Sequence, residues 1–105
     1  MKILFFSAKP YDRQFFEKSN ETYGFELEFW ETHLGPHIVD AIKPNVYDAV
    51  CVFVNDKLTA PVVATLAGKG VKIIALRCAG FNNVDLDAVK QHGLRLCRVP
   101  AYSPE

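Results

Sequence analysis

The 105-residue sequence lacks net charge, because 12 lysine and arginine residues balance 12 aspartate and glutamate residues. It therefore lacks the positive field that draws proteins to nucleic acids or anionic membranes, and we expect neither as a partner. It also lacks any apolar run approaching the roughly 18 residues that span a bilayer, and its opening apolar run is too short for a secretory signal. We therefore expect a cytoplasmic protein.

Cysteine pairs and glycine-rich motifs are missing as well. Cys51, Cys78 and Cys97 form no Cys-x-x-Cys pair, which argues against a zinc motif and a dense disulfide framework. The single Gly-x-Gly, at residues 68–70, has no third glycine and precedes a predicted strand, so it does not fit a dinucleotide fingerprint. We predict no cofactor-binding or metal-binding residue in this chain.

The sequence does contain an alternation of strand-like and helix-like segments. The predicted strands are residues 3–6, 25–30, 49–54, 71–76 and 94–99. The predicted helices are residues 11–22, 38–42, 61–69 and 86–92, with Thr59 and Asp85 as N-caps and Gly93 as a C-terminal glycine. Continuous apolar runs are typical of parallel strands buried on both faces, whereas residues 25–30 alternate as an edge strand does. The pattern predicts an α/β fold: a flavodoxin-like, doubly wound parallel sheet of five strands in the order 2-1-3-4-5.

In such a sheet, ligands bind outside the carboxyl ends of the strands, near the point where the strand order reverses. The loops after strands 1, 3 and 4 are therefore the candidate site: residues 7–10, 55–57 and 77–83. The third loop contains Ala79 and Gly80, whose small size would let backbone N–H groups approach a bound carboxylate. A turn in which Gly80 only supplies a positive φ is the alternative, and the residues leave both open.

Other polar residues have simpler explanations. His33 and His37 have metal-ligand spacing for a helix, but the intervening glycine and proline should break that helix, which favours surface histidines. Asp56 follows strand 3, where a receiver domain carries its phosphoryl-accepting aspartate. The acidic residues that such a domain needs after strand 1 are missing, so we do not predict a phosphorylation site.

Two motifs near the end of the chain stand one helix and one strand apart. Residues 76–86 read Leu-Arg-Cys-Ala-Gly-Phe-Asn-Asn-Val-Asp-Leu, and residues 99–105 read Val-Pro-Ala-Tyr-Ser-Pro-Glu. Together with residues 24–29 and 53–56, they resemble the D-2-hydroxyacid dehydrogenase family, with the bacterial fermentative D-lactate dehydrogenases as the nearest subgroup. The resemblance covers the whole chain in the expected order.

This resemblance implies a two-domain, NAD-dependent enzyme whose flavodoxin-like substrate domain is split by an inserted Rossmann domain. Residues 1–100 would form the first part of the substrate domain, and residues 101–105 the hinge toward a Rossmann domain that these residues do not include. The helix-start pattern of residues 103–105 also favours a chain cut at a linker. The catalytic Arg, Glu and His of the family would lie beyond residue 105, so we expect this chain alone to bind no NAD and to be inactive.

The resemblance also implies a substrate site. The main-chain amides of Ala79 and Gly80 would hold the substrate carboxylate, Tyr102 would line the site, and Phe53 would pack near the methyl end of the substrate. The complete enzyme would reduce pyruvate with NADH to D-lactate and would be a homo-oligomer. The alternative is a stand-alone flavodoxin-like binding or interaction module without catalysis.

Overall fold

A computed structural model describes residues 1–53, 56–77 and 83–98. Its elements are β1 (Lys2–Phe5), α1 (Pro10–Asn20), β2 (Glu26–Phe29), a 3-10 helix (Val39–Ala41), β3 (Ala49–Val52), α2 (Ala60–Gly68), β4 (Ile73–Leu76), α3 (Leu86–Gln91) and β5 (Arg95–Arg98). The strands form one parallel sheet in the order β2-β1-β3-β4-β5. The predicted flavodoxin-like topology is confirmed, with β2 at an edge.

One sheet face carries the main hydrophobic core. Leu4, Val50 and Ile74 lie opposite one another across β1, β3 and β4, and all three are fully buried. The residues that α2 packs into the same core are Val62, Val63 and Leu66. Burying side chains of this size contributes about 1.5–3 kcal/mol each, which explains why these strands read as continuous apolar runs.

The opposite face is covered unevenly. The ring of Phe16 in α1 packs on Phe5, with 4.6 Å between ring centroids. The row continues from Phe5 through Cys51 and Ala75 to Cys97, and its residues change from buried to half-buried to exposed toward β5. Burial raises the pKa of the Cys51 thiol to about 12. Helix α1 therefore shields β1, and the burial of this face declines toward β5.

The helix signals of the sequence are partly confirmed. Asp85 caps α3, since its Oδ1 accepts the Ala88 N–H at 3.0 Å, and Gly93 follows that helix with φ +72°. Thr59 occupies the N-cap position of α2, but within the described residues its side chain makes no capping hydrogen bond. Pro61, at the second helical position, has no N–H to offer it.

The predicted helix at residues 38–42 is wrong in type, because only a 3-10 turn forms there. Ile42 already has extended backbone, with φ −71° and ψ 127°. Pro44 disfavours helical backbone at the residue before it, so the segment cannot continue as a helix.

Among the described residues, no helix combines the length and apolar character needed to cross a membrane.

Glu28 joins β1, β2 and the segment before β3. It accepts hydrogen bonds from the Tyr47 hydroxyl and from Trp30 Nε1, both at 2.7 Å, and Lys2 Nζ lies 3.6 Å away. Burial raises the pKa of Glu28, but the two hydrogen bonds and Lys2 outweigh it, so the pKa falls below its ordinary 4.5. Burial and the bond to Glu28 raise the pKa of Tyr47 to about 12.

Candidate functional site

The candidate site lies where β1, β3 and β4 end, at the point of reversed strand order. The ladder extends one residue past two of these strands: Phe6 N donates to Cys51 O, and Arg77 N donates to Val52 O, both at 2.9 Å. The next residue after Phe6 is the buried Ser7, whose φ of +55° turns the chain sharply. We call this region, formed by Ser7, Phe53, Asp56, Arg77 and Asn83, the site edge.

Asp56 is the buried polar centre of the site edge, with no exposed surface. Its Oδ1 accepts hydrogen bonds from Ser7 Oγ and from Leu34 N, both at 2.7 Å, and its Oδ2 accepts the Phe53 N–H at 2.6 Å. A buried carboxylate is tolerated where donors satisfy its lone pairs, as they do here. Asp56 therefore ties the segments that follow β1, β2 and β3 together.

Ser7 also contacts His33, with 2.6 Å between Oγ and Nδ1. The serine hydroxyl has one proton and donates it to Asp56, so Nδ1 of the exposed His33 must carry the hydrogen of this contact. In a catalytic triad the histidine instead stands between serine and carboxylate and removes the serine proton. The order found here holds side chains in place and does not activate Ser7 as a nucleophile.

Phe53 is held at both of its polar main-chain atoms by side chains. Its N–H donates to Asp56, and its carbonyl accepts a hydrogen bond from Asn83 Nδ2 at 2.9 Å. The same nitrogen of Asn83 donates to the Asp56 carbonyl at 3.0 Å. The main chain that carries the half-buried Phe53 ring is therefore fixed at the site edge by residues from two different loops.

Arg77 lies beneath this region with 3 % of its surface exposed. Its Nη1 lies 2.9 Å from Asp12 Oδ2 in an ion pair, and its Nη2 donates to the Phe6 carbonyl. The guanidinium carbon stands 5.5 Å from the ring centroid of Phe53 and 5.9 Å from that of Phe5. The nearby Asp12 makes Arg77 a structural cation that links α1 with β1 and β4.

The predicted substrate-binding residues fall into two groups. Phe53, which the sequence predicts inside the third strand, directly follows β3 and lies at the site edge. Ala79, Gly80 and Tyr102 lie outside the described residues. The residues on either side of segment 78–82 are both bonded to the end of β3, Arg77 through its main-chain N–H and Asn83 through its side chain.

Sequence reasoning missed the joint role of Ser7, His33 and Asp56. A usable signal was present for two of them, because Ser7 and Asp56 follow strands predicted to be neighbours at the reversal point. The sequence places His33 at the surface, which its exposure confirms, but does not predict its contact with Ser7. Within the described parts of the chain, no cluster of three His, Cys, Asp or Glu residues could hold a metal ion.

Comparison with known proteins agrees with the fold and with the two terminal motifs. The family model for the D-isomer specific 2-hydroxyacid dehydrogenase catalytic domain matches residues 3–105. D-Lactate dehydrogenase of Escherichia coli strain K12 is 52% identical over 105 residues, which are 100% of this chain and 31% of that protein.

Solved structures give the same result. Salmonella D-lactate dehydrogenase superposes with a TM-score of 0.89 at 52% identity, over 99% of this chain and 31% of that one. The Lactobacillus jensenii D-lactate dehydrogenase solved with NAD+ gives a TM-score of 0.80 at 32% identity, with the same coverage. The chain thus spans about a third of the length of these relatives. It belongs to the D-isomer specific 2-hydroxyacid dehydrogenase family.

Proposed function

We propose that this chain is the substrate-positioning part of an NAD-dependent D-lactate dehydrogenase that reduces pyruvate to D-lactate. The observation that carries the proposal is the construction of the site edge. Arg77 and Asn83, which flank the segment predicted to hold a carboxylate, are both bonded to the strand end that presents Phe53. The similarity to D-lactate dehydrogenases of E. coli and Salmonella over nearly the whole chain supports the same reaction.

We propose that each end of a small 2-keto acid is contacted by a different part of the site. The main-chain amides of Ala79 and Gly80 bind the carboxylate, as backbone N–H groups in tight turns do. The apolar ring of Phe53 faces the methyl end, and Tyr102 lines the site from the hinge. Residues 1–100 form the first part of the substrate domain, and residues 101–105 form the hinge toward the nucleotide-binding domain.

The one Gly-x-Gly of the sequence does not fit a dinucleotide site. Gly68 and Gly70 stand at the end of α2 and not at the start of a helix, where a pyrophosphate could bind. We propose that NAD, which supplies the hydride, is bound by another part of the protein, together with the catalytic Arg, Glu and His. The role of residues 1–105 is then to orient the substrate.

We also propose that the protein works in the cytoplasm as a homo-oligomer. The decline in burial from Cys51 through Ala75 to Cys97 supports a further packing partner on the β5 side of the sheet. Light scattering of the purified full-length protein measures the oligomeric state, and a monomer at high concentration would contradict that part of the proposal.

The proposal is tested by mixing the full-length protein with pyruvate and NADH and following NADH absorbance, with chiral chromatography of the product. We expect D-lactate, and we expect no turnover from residues 1–105 alone. Formation of L-lactate, or no turnover with any small 2-keto acid, would contradict the proposal. Binding of a keto acid without turnover would favour the alternative, a non-catalytic binding module.

A further inference from the structure

We propose that Asn83 is a positioning residue that fixes the main chain of Phe53, and so determines which 2-keto acid the Phe53 ring accommodates. This inference rests on the proposed function. Asn83 would not touch the substrate itself and would act through the main chain of Phe53.

The first support is the position of Phe53 relative to the sheet. Strand β3 ends at Val52, so the Phe53 main chain lies just beyond the strand. Its N–H instead bonds to the Asp56 carboxylate at 2.6 Å, and its carbonyl bonds to Asn83 Nδ2 at 2.9 Å. Two side chains from loops therefore hold the main chain that carries the Phe53 ring.

The second support is the number of bonds that Asn83 makes to one connection. Its Nδ2 contacts the carbonyls of Phe53 and Asp56, and its own carbonyl accepts the Leu58 N–H at 2.9 Å. All three contacts fall on the connection between β3 and α2. Asn83 directly follows segment 78–82 in the chain, and its side chain is the one that bonds the Phe53 carbonyl among the described residues.

The third support is how poorly other side chains would replace this amide. A carboxamide nitrogen has two hydrogens, which match two carbonyl acceptors. Leucine has a similar size and no donor, and aspartate would place acceptors against two carbonyl oxygens. Either change removes the side-chain hydrogen bond to the Phe53 carbonyl and leaves the hydrogen bond between the main chains of residues 83 and 58. The position of Phe53 should therefore become less fixed, while the two loops stay connected.

Asn20 provides a matched control. Its Oδ1 accepts the Phe25 N–H at 2.8 Å, and its Nδ2 donates to the Phe25 carbonyl at 2.5 Å. The same type of side chain thus holds the main chain of another phenylalanine, but just before β2, at the amino ends of the strands and away from the site edge. Asn20→Leu removes comparable bonds without affecting the site edge.

The experiment compares Asn83→Leu, Asn83→Asp and Asn20→Leu in the full-length protein, with pyruvate and with the longer 2-ketobutyrate. For both Asn83 variants we expect the KM for pyruvate to rise about tenfold or more, with kcat changing less than about threefold. The preference for pyruvate over 2-ketobutyrate should shrink as well. Asn20→Leu should leave KM and preference at wild-type values.

A general loss of stability would affect Asn20→Leu and the Asn83 variants alike, so a similar KM change in all three would overturn the inference. Unchanged KM and preference in whichever Asn83 variant folds would also overturn it, with the proposed function intact if the wild type turns over. If the wild type makes no D-lactate, the proposed function fails and the inference fails with it. Hydrogen exchange of the Phe53 amide should be faster in the Asn83 variants only.

Discussion

Replacing Asp56 with asparagine keeps the side-chain shape but turns one acceptor of a buried carboxylate into a donor. With its oxygen in the place of Oδ1, the new amide keeps the bonds from Ser7 and Leu34, but its NH2 group faces the Phe53 N–H. One hydrogen bond to a charged group is lost, worth about 1.5–3 kcal/mol, and unpaired buried donors cost about 1–3 kcal/mol more. The loss, about 2.5–6 kcal/mol, is a large share of the roughly 5–15 kcal/mol by which a typical domain is stable against unfolding.

Urea unfolding of the chain, followed by the fluorescence of Trp30, its only tryptophan, measures this loss. With a slope of about 1.5 kcal/mol per molar urea, the midpoint should fall by about 2–4 M, or the variant should be unfolded without urea. Asp85→Asn is the matched control, because asparagine caps a helix about as well as aspartate and should cost less than about 0.5 kcal/mol. A loss below about 1 kcal/mol for Asp56→Asn would refute the account of the site edge.

Three further predictions concern groups away from Asp56. Asp12→Leu removes the carboxylate partner of the buried Arg77 and should lower the free energy of unfolding by about 3–5 kcal/mol. Adding Arg77→Met should recover part of that loss. A double-mutant cycle that shows no coupling between the two positions would contradict this prediction. Burial raises the pKa of Cys51 to about 12, so iodoacetamide at about pH 8 should modify the exposed Cys97 and spare Cys51. Peptide mass spectrometry measures the labelling of each cysteine, and equal labelling of the two would contradict this prediction. Because folding lowers the pKa of Glu28, its contribution to stability is present above 4.5 and is lost as pH falls through the folded-state pKa. Glu28→Gln should therefore flatten the decline of the unfolding free energy below pH 4.5, measured by urea titrations at several pH values, and an unchanged decline would count against this role.

The strand order could be predicted from the sequence because its causes are local. Residues 49–52 are apolar without interruption, which indicates burial on both faces, and the helix-length spacing between strands leaves few right-handed topologies. Asp85 and Gly93 mark the ends of α3 through their own backbone chemistry. Residues 38–42 form only a 3-10 turn in place of the predicted helix, because Pro44 disfavours helical backbone at the residue before it.

The hydrogen-bond network of the site edge could not be predicted in the same way. Ser7 is 26 residues from His33 and 49 from Asp56, so no local pattern connects them. Their meeting depends on the carboxyl ends of β1 and β3 lying side by side and on the positive φ of Ser7. Asn83 stands inside the motif that carries the family resemblance, but its bonds to the Phe53 and Asp56 carbonyls exist only once two loops are folded against each other.

A crystal structure of the full-length protein with oxamate, a pyruvate analogue in which an NH2 group replaces the methyl group, tests the central claim most directly. The claim predicts that the oxamate carboxylate accepts hydrogen bonds from the main-chain amides of Ala79 and Gly80, and that its amide end faces the ring of Phe53. Oxamate bound away from the carboxyl ends of β3 and β4, or with its carboxylate turned toward Phe53, would contradict it.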